Sequence, residues 1–412
     1  MIHLALLGLG TVGQGVYEIV NSVKDTSFRG KSIAIKKILE RDTNKLTLLG
    51  VPHEQIAGSI DDIVHDPDIN VVISVLGGME PEYTFIKEAL SNGKHVVTSN
   101  KAIVSSHLEE LLSLAIANDV TILFEASVGG GIPIISSLIE TLKINGISSI
   151  HGILNGTTNY ILTRMKNEKR SFEEVLKEAQ RLGFAEANPS ADIDGYDIMR
   201  KICILASIAF KTPVKEEDVH LRTLSNVLLD DLQMATYYGY ELKYIGKAVM
   251  ENGTYTISVT PTLIPKTSVI SNVNEEYNII VIDGSIIGEL CFMGKGAGKD
   301  ATANAVVSDV LKVINSDIAN DDIQLDSKAV SSGLEGIYNE YYIRICVDDY
   351  KEFSKAVNLI AEIVKRNKLV YSYGKLFVLT EKIPAQTMKT LYEKLQRVAQ
   401  NVFYARLENN LL

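Results

Sequence analysis

The apolar run Ile2-His3-Leu4-Ala5-Leu6-Leu7 ends directly in Gly8-Leu9-Gly10-Thr11-Val12-Gly13. Few folds tolerate three glycines at the spacing G-x-G-x-x-G immediately behind a strand. Gly8 permits a tight turn, Gly10 lets a phosphate approach the backbone, and Gly13 lets a helix lie close against the strand. Thr11 and Val12 open that helix, whose first N–H groups and positive dipole end suit a pyrophosphate. The motif is weak alone and strong at the head of a strand–helix series. Such a series follows, with β-rich runs at 33–39, 71–76, 95–98 and 121–124 separated by amphipathic stretches. Buried strands alternating with helices imply a parallel sheet with crossover connections. The expected class is α/β, with a Rossmann-type parallel sheet over residues 1–125.

The pattern changes after 125. Helices expected at 136–143, 172–182, 196–210 and 228–239 mix with strands at 254–259 and 277–282, which reads as an α+β substrate-binding and catalytic domain over 126–299. Residues 300–316 form a further helical stretch, expected to return to the first domain, and the polar stretch 315–326 reads as a linker. From 338 to 412 the order is strand (341–347), helix (352–366), strands (369–373 and 376–379), helix (384–399) and strand (403–407). That βαββαβ order is a ferredoxin-like unit.

The formal net charge is −10 with no long basic run, so nucleic acid is not an expected partner. No apolar run approaches the roughly 20 residues that span a bilayer, so no membrane is expected either. Met1 leads straight into a strand without a basic leader. Cys203, Cys291 and Cys346 lie far apart among apolar neighbours, which reads as reduced, buried thiols in a cytoplasmic chain.

The end of the second strand, Leu39-Glu40-Arg41-Asp42, bears on the nucleotide. Arginine there accommodates a 2′-phosphate and favours NADP, while Glu40 and Asp42 leave NAD open. Further on, Asp197 and Lys201 are four apart and share a helix face, and residues 202–210 are almost wholly apolar. A charged pair at the edge of a core is costly unless something uses it. With the glycine loop, this suggests a dehydrogenase whose acid/base is a lysine.

At this point the chain resembles homoserine dehydrogenase. The resemblance runs in order through Gly8–Gly13, Leu76-Gly77-Gly78 with Glu80-Pro81, Val97-Thr98-Ser99-Asn100-Lys101-Ala102, Glu125-Ala126-Ser127-Val128-Gly129-Gly130-Gly131-Ile132-Pro133, Asn155-Gly156-Thr157-Thr158-Asn159, the Glu186/Asp197/Lys201 stretch, and Gly294-Lys295-Gly296-Ala297-Gly298. It implies NAD(P)-dependent interconversion of L-homoserine and L-aspartate 4-semialdehyde in threonine, methionine and isoleucine biosynthesis. It implies Lys201 as proton donor, Lys101 as a second active-site lysine near the nicotinamide, and Glu186 and Asp197 as carboxylates for the substrate amino group. Thr157 is a further candidate for substrate, against a helix-capping role. Gly8, Gly10, Thr11, Val12, Gly13, Arg41, Lys101, Gly183 and Gly298 are expected to meet the cofactor. The Glu125 carboxylate and the carbonyls of Val128, Gly130 and Ile132 match a monovalent-cation site, taken as sodium.

Two other readings stay open: a non-catalytic nucleotide-binding amino-acid sensor, and a dehydrogenase of a related amino-acid aldehyde. Ser74 stands where the family commonly has glutamate, and Ala301 where it commonly has proline. The terminal unit resembles an ACT module, but its first loop, Val347-Asp348-Asp349-Tyr350-Lys351-Glu352-Phe353, has neither Pro nor Gly. Without glycine the backbone is less free to approach an effector. The unit is therefore expected to serve a homodimer or homotetramer, with threonine left open as an effector. No aspartate-kinase domain precedes residue 1, so the chain is expected to resemble the monofunctional form.

Overall fold

The computed structural model describes residues 1–412 except 24, 25, 27, 316–322, 324, 366, 410 and 412. Most of the expected linker at 315–326 thus lies outside the described residues. The rest forms two compact units: Met1–Gly146 with Cys203–Glu216 and Phe292–Ser327, and Ile147–Ile202 with Glu217–Cys291 and Lys328–Leu412.

The first unit is built on β1 (Ile2–Leu7), β2 (Ile33–Leu39), β3 (Ile69–Ser74), β4 (His95–Thr98) and β5 (Ile122–Leu123), in the order β2-β1-β3-β4-β5. All four pairings are parallel. Leu4, Leu6, Val71 and Ile73 are buried, as strands covered on both faces require. Helices Thr11–Ser22 and Lys299–Asn315 share this core through Val16, Val20, Ala303, Val306 and Val310.

The sequence reading ended this domain at 125. The structure adds Ile134–Leu142 and residues 203–216 to it. The first is tied to Glu125, whose carboxylate accepts from the N–H groups of Ile135 and Ser136. The second includes the apolar end of helix Tyr196–Phe210, which carries no charge to hold it in water.

The second unit is organised by β6 (Ile147–Ile153), β7 (His220–Leu221), β8 (Tyr240–Glu251), β9 (Thr254–Pro265), β10 (Tyr277–Gly284), β11 (Gly288–Lys295), β12 (Val330–Ser331), β13 (Tyr338–Cys346), β14 (Asn367–Ser372), β15 (Lys375–Thr380), β16 (Ile383–Pro384) and β17 (Asn401–Leu407). They join one mixed sheet along β11-β10-β6-β8-β9-β17-β13-β15-β14, with the short strands at its sides. The terminal segment has the antiparallel order β17-β13-β15-β14 expected of a ferredoxin-like unit. It joins the rest through a parallel pairing of Arg406 and Leu407 with Thr262 and Leu263. A buried ion pair also fastens it: Arg344 Nε donates to Asp231 at 2.9 and 3.1 Å, and Tyr342 Oη donates to the same carboxylate at 2.8 Å.

All three thiols are free, but two of them are less buried than expected. Cys203 is buried, Cys346 is intermediate and Cys291 is exposed. Cys291 sits on β11, an edge strand whose residues alternate between half-buried and exposed, so apolar neighbours in sequence do not bury it. No helix among the described residues is long and apolar enough to cross a membrane.

Candidate active site

In the second unit the charged pair forms as the four-residue spacing requires. Lys201 Nζ donates to Asp197 Oδ2 at 2.8 Å and to the Leu154 carbonyl at 2.8 Å. Asp197 is 3% exposed and Lys201 7%, so this is no solvated surface pair. The helix start is fixed by Gly195 at φ +87°, where an added Cβ would stand 2.1 Å from the Tyr244 hydroxyl. That hydroxyl is held in place by donating to the Arg222 carbonyl at 2.7 Å. The entry to helix Tyr196–Phe210 is therefore a glycine position on both conformational and steric grounds.

Asn155 and Asp192 complete this cluster, and neither was assigned from sequence. The Asn155 amide donates to Asp197 Oδ2 at 2.8 Å and Asp192 Oδ1 at 2.7 Å. Its carbonyl oxygen accepts from Thr158 N at 2.8 Å, capping helix Gly156–Glu168. One side chain thus sets the helix start and positions the carboxylate under Lys201. The sequence signal was available, since Asn before Gly-Thr-Thr is a helix-cap pattern.

The other expected residues of this unit stand apart from that pair. Thr157 Oγ1 donates to the Phe184 carbonyl at 2.6 Å, tying its helix to the following loop. Gly183 ends helix Phe172–Leu182 at φ +80°. Glu186 is exposed on the same loop, and its carbonyl accepts from Gln180 Nε2 at 3.1 Å. Its carboxylate does not join the buried cluster.

In the first unit the glycine loop has the form a pyrophosphate needs. A Cβ on Gly13 would lie 2.0 Å from the Gly8 carbonyl, whereas beside Gly10 there is open space to 4 Å. Thr11 and Val12 begin the helix, with Gly10 as its cap. Glu40 supports the loop from β2, accepting from Leu9 N at 2.7 Å and Asp42 N at 2.9 Å. Burial works to raise its carboxyl, but these N–H groups and Lys45 outweigh it and hold Glu40 below the usual range. Arg41 and Asp42 are exposed. Gly298, at φ +116°, precedes helix Lys299–Asn315. The cradle fits a dinucleotide.

Lys101 is half-buried at the first position of helix Lys101–Ala117. Asn100 caps that helix, accepting from Ala102 N and Ile103 N at 3.1 and 3.2 Å, while its amide donates to Glu82 at 2.9 Å. Glu82 is fully buried and also accepts from Gly77 N at 2.6 Å and from the Ser74 hydroxyl at 2.9 Å. Ser74 therefore still meets a carboxylate, supplied from a neighbouring helix. The sequence reading missed Glu82.

The residues expected around sodium do not fit a bare ion at Glu125. Its Oε1 accepts from Ile135 N at 2.7 Å. Its Oε2 accepts from Ser136 N at 3.0 Å, from the Ser136 hydroxyl and from Lys312 Nζ at 3.2 Å. The Ile132 carbonyl accepts from Ile134 N at 2.8 Å. Three donors converge on Oε2, which leaves it no lone pair for an ion, and one of them is already a lysine charge.

Comparison with known proteins decides the family. Residues 8–125 match the model described as homoserine dehydrogenase, NAD binding domain, and residues 133–311 match that of homoserine dehydrogenase. A homoserine dehydrogenase of Bacillus subtilis (strain 168) is 40% identical over 372 residues, covering 88% of this chain and 85% of the relative. The chain belongs to the homoserine dehydrogenase family. Among solved structures, a homoserine dehydrogenase from Thiobacillus denitrificans superimposes with a TM-score of 0.89 at 33% identity, covering 99% of this chain and 98% of that one. A hyperthermophilic archaeal homoserine dehydrogenase mutant in complex with NADPH gives 0.66 at 27% identity, covering 76% of this chain and 98% of its own. As a homoserine dehydrogenase, the chain is an oxidoreductase of L-homoserine and L-aspartate 4-semialdehyde that uses a nicotinamide cofactor. The buried Asp197–Lys201 pair lies within the matched region 133–311.

Proposed function

We propose that the chain is an NADP-preferring homoserine dehydrogenase in which Lys201 delivers the proton to the aldehyde oxygen. The observation that carries this reading is the placement of the Lys201 ammonium between the Leu154 carbonyl and Asp197. Bound nicotinamide supplies the hydride that the aldehyde carbon takes up. Negative charge then develops on oxygen, where a fixed ammonium both stabilises it and donates the proton. Asp197 balances the ammonium before substrate arrives. Asn155 keeps that carboxylate oriented. Glu186 with Asp197 takes the substrate amino group, and in the nucleotide-binding unit Lys101, set by the Asn100 cap, is a second cation for the reaction. Thr157 has a backbone partner, so its hydroxyl serves substrate only as an acceptor.

The preference for NADP rests on Arg41, exposed beside a Glu40 carboxylate already committed to the glycine loop. Gly8, Gly10, Thr11, Val12 and Gly13 take the pyrophosphate, and Gly183 and Gly298 the approaches to the rest of the cofactor. The terminal unit is ACT-like and serves homo-oligomer formation. Its edge strand β14 leaves Leu369, Val370 and Tyr371 exposed, a row suited to a second copy.

The test is homoserine-dependent reduction of NADP⁺ and of NAD⁺, followed by absorbance, with Arg41→Ser alongside. A higher kcat/KM with NADP⁺ that falls roughly tenfold or more in the variant supports the preference. An unchanged ratio removes Arg41 from it. Threonine titration of the full chain checks the terminal unit: strong inhibition would make it an effector site.

A further inference from the structure

In the first unit, Lys312 reaches into the cluster where the family resemblance places an alkali-metal ion. Its ammonium donates to Asp309 Oδ1 at 2.9 Å, to Glu125 Oε2 at 3.2 Å and to the Ser136 hydroxyl. An ammonium has three N–H donors, and these three partners use them all. Glu125 and Asp309 are 3% and 2% exposed. Asp309 Oδ2 in turn accepts from Glu125 N at 2.7 Å, so the two carboxylates are joined through backbone as well as through lysine. Two buried carboxylates this close need a cation to remain in a core. The cation on hand is covalently attached, one turn along the helix that carries Asp309.

We propose that the Lys312 ammonium takes the place of the alkali-metal ion in this chain, so that its fold and turnover need neither sodium nor potassium. A monovalent ion at the Glu125 carboxylate would have to displace a lysine of the same charge that is already bonded three ways. It would gain no charge compensation in doing so. The tether also removes the entropy of capturing a free ion and makes the site independent of the salt supply. The consequence concerns the shape of the segment Glu125–Ile132 and the start of helix Ile134–Leu142, and does not depend on which nicotinamide cofactor is used.

The experiment is thermal unfolding of the full chain in sodium chloride, potassium chloride and choline chloride at equal ionic strength, for wild type and Lys312→Ala. Melting temperature is read without substrate, so failure here is distinguishable from failure of the catalytic assignment. Wild type is expected to melt at the same temperature in all three salts, and homoserine oxidation to run equally fast. Lys312→Ala is expected to melt about 5 °C or more lower in choline chloride, and to recover part of that loss in sodium or potassium chloride. A wild type that loses stability or turnover in choline chloride overturns the proposal. So does a variant that melts equally low in every salt, because the lysine then acts only as a packed side chain. If Lys312→Ala does not fold, Lys312→Gln, which keeps two N–H donors without the charge, is read in the same way.

Discussion

Lys201 Nζ and Asp197 Oδ2 lie 2.8 Å apart on successive turns of one helix, and the same carboxylate oxygen accepts from the Asn155 amide at 2.8 Å. Asp197 thus holds the lysine from the helix and is itself held from β6's end. The arrangement fixes a cation where an apolar helix would otherwise exclude one. Such a pair is a poor source of stability, because desolvation offsets most of the attraction. Under the proposed function its value is in placing an ammonium for the reacting oxygen.

Lys201→Met should therefore lose turnover by about 100-fold or more, the ordinary worth of a general acid, while retaining NADP⁺ binding. The check is steady-state kinetics together with a cofactor titration. Methionine keeps the stem, but it leaves Asp197 buried without its partner, so the melting temperature has to be compared as well. Near-normal turnover would remove Lys201 from the mechanism.

Asn155→Ala tests a positioning residue. It should lower kcat roughly tenfold and raise KM as well, because Asp197, which holds both Lys201 and the substrate amino group in the proposed mechanism, loses its second tether. The variant also removes a helix cap, worth about 1 kcal/mol. Asn155→Ser keeps a cap oxygen and adds no charge beside Asp192 and Asp197, so a purely structural role predicts recovered turnover. Continued loss in Asn155→Ser supports positioning.

The parallel sheet was legible because strands buried on both faces leave continuous apolar runs, and the glycine loop marked where the first one ends. Helix Tyr196–Phe210 was read at its true ends, since Gly195 and the apolar run bound it. Helix Gly156–Glu168 was not read. It opens Gly-Thr-Thr-Asn, residues that form helices poorly, and is held by burial of Tyr160, Ile161, Leu162 and Met165. Side-chain partners far apart in sequence were out of reach by their nature. Glu125 and Lys312 are 187 residues apart, and nothing local marks either as the other's counter-charge. Cys291 failed for a related reason: burial on an edge strand depends on what covers the edge.

Arg344→Met should destabilise the chain by about 3–5 kcal/mol, the cost of leaving a buried charge without its partner. Arg344 is fully buried, and its guanidinium donates both to Asp231 and, at 2.6 Å, to the Asn226 carbonyl. Denaturant unfolding is the measurement. Combining it with Asp231→Leu should recover part of the loss, because no buried carboxylate is then stranded. If the double variant is worse than the sum of the singles, the pair does more than neutralise itself.

Two histidines should set the acid limit of stability. Burial, helped by the nearby Lys247 charge, pushes His151 down to about 3, and burial with Arg222 pushes His220 down to about 4. Among the described residues neither ring nitrogen of His151 has a hydrogen-bond partner, so none of them offers an acceptor on protonation. Both folded-state values lie below the 6.5 of an unfolded histidine, so the unfolded chain binds more protons in that window. Stability is full above 6.5 and is lost as pH falls from there towards about 3 to 4. Around pH 5 each histidine should cost about 2 kcal/mol. Unfolding free energy measured from neutral pH downwards should therefore decline well before the carboxylates titrate. His151→Leu should remove roughly half of that decline. A decline as steep in the variant as in wild type would place the acid sensitivity elsewhere.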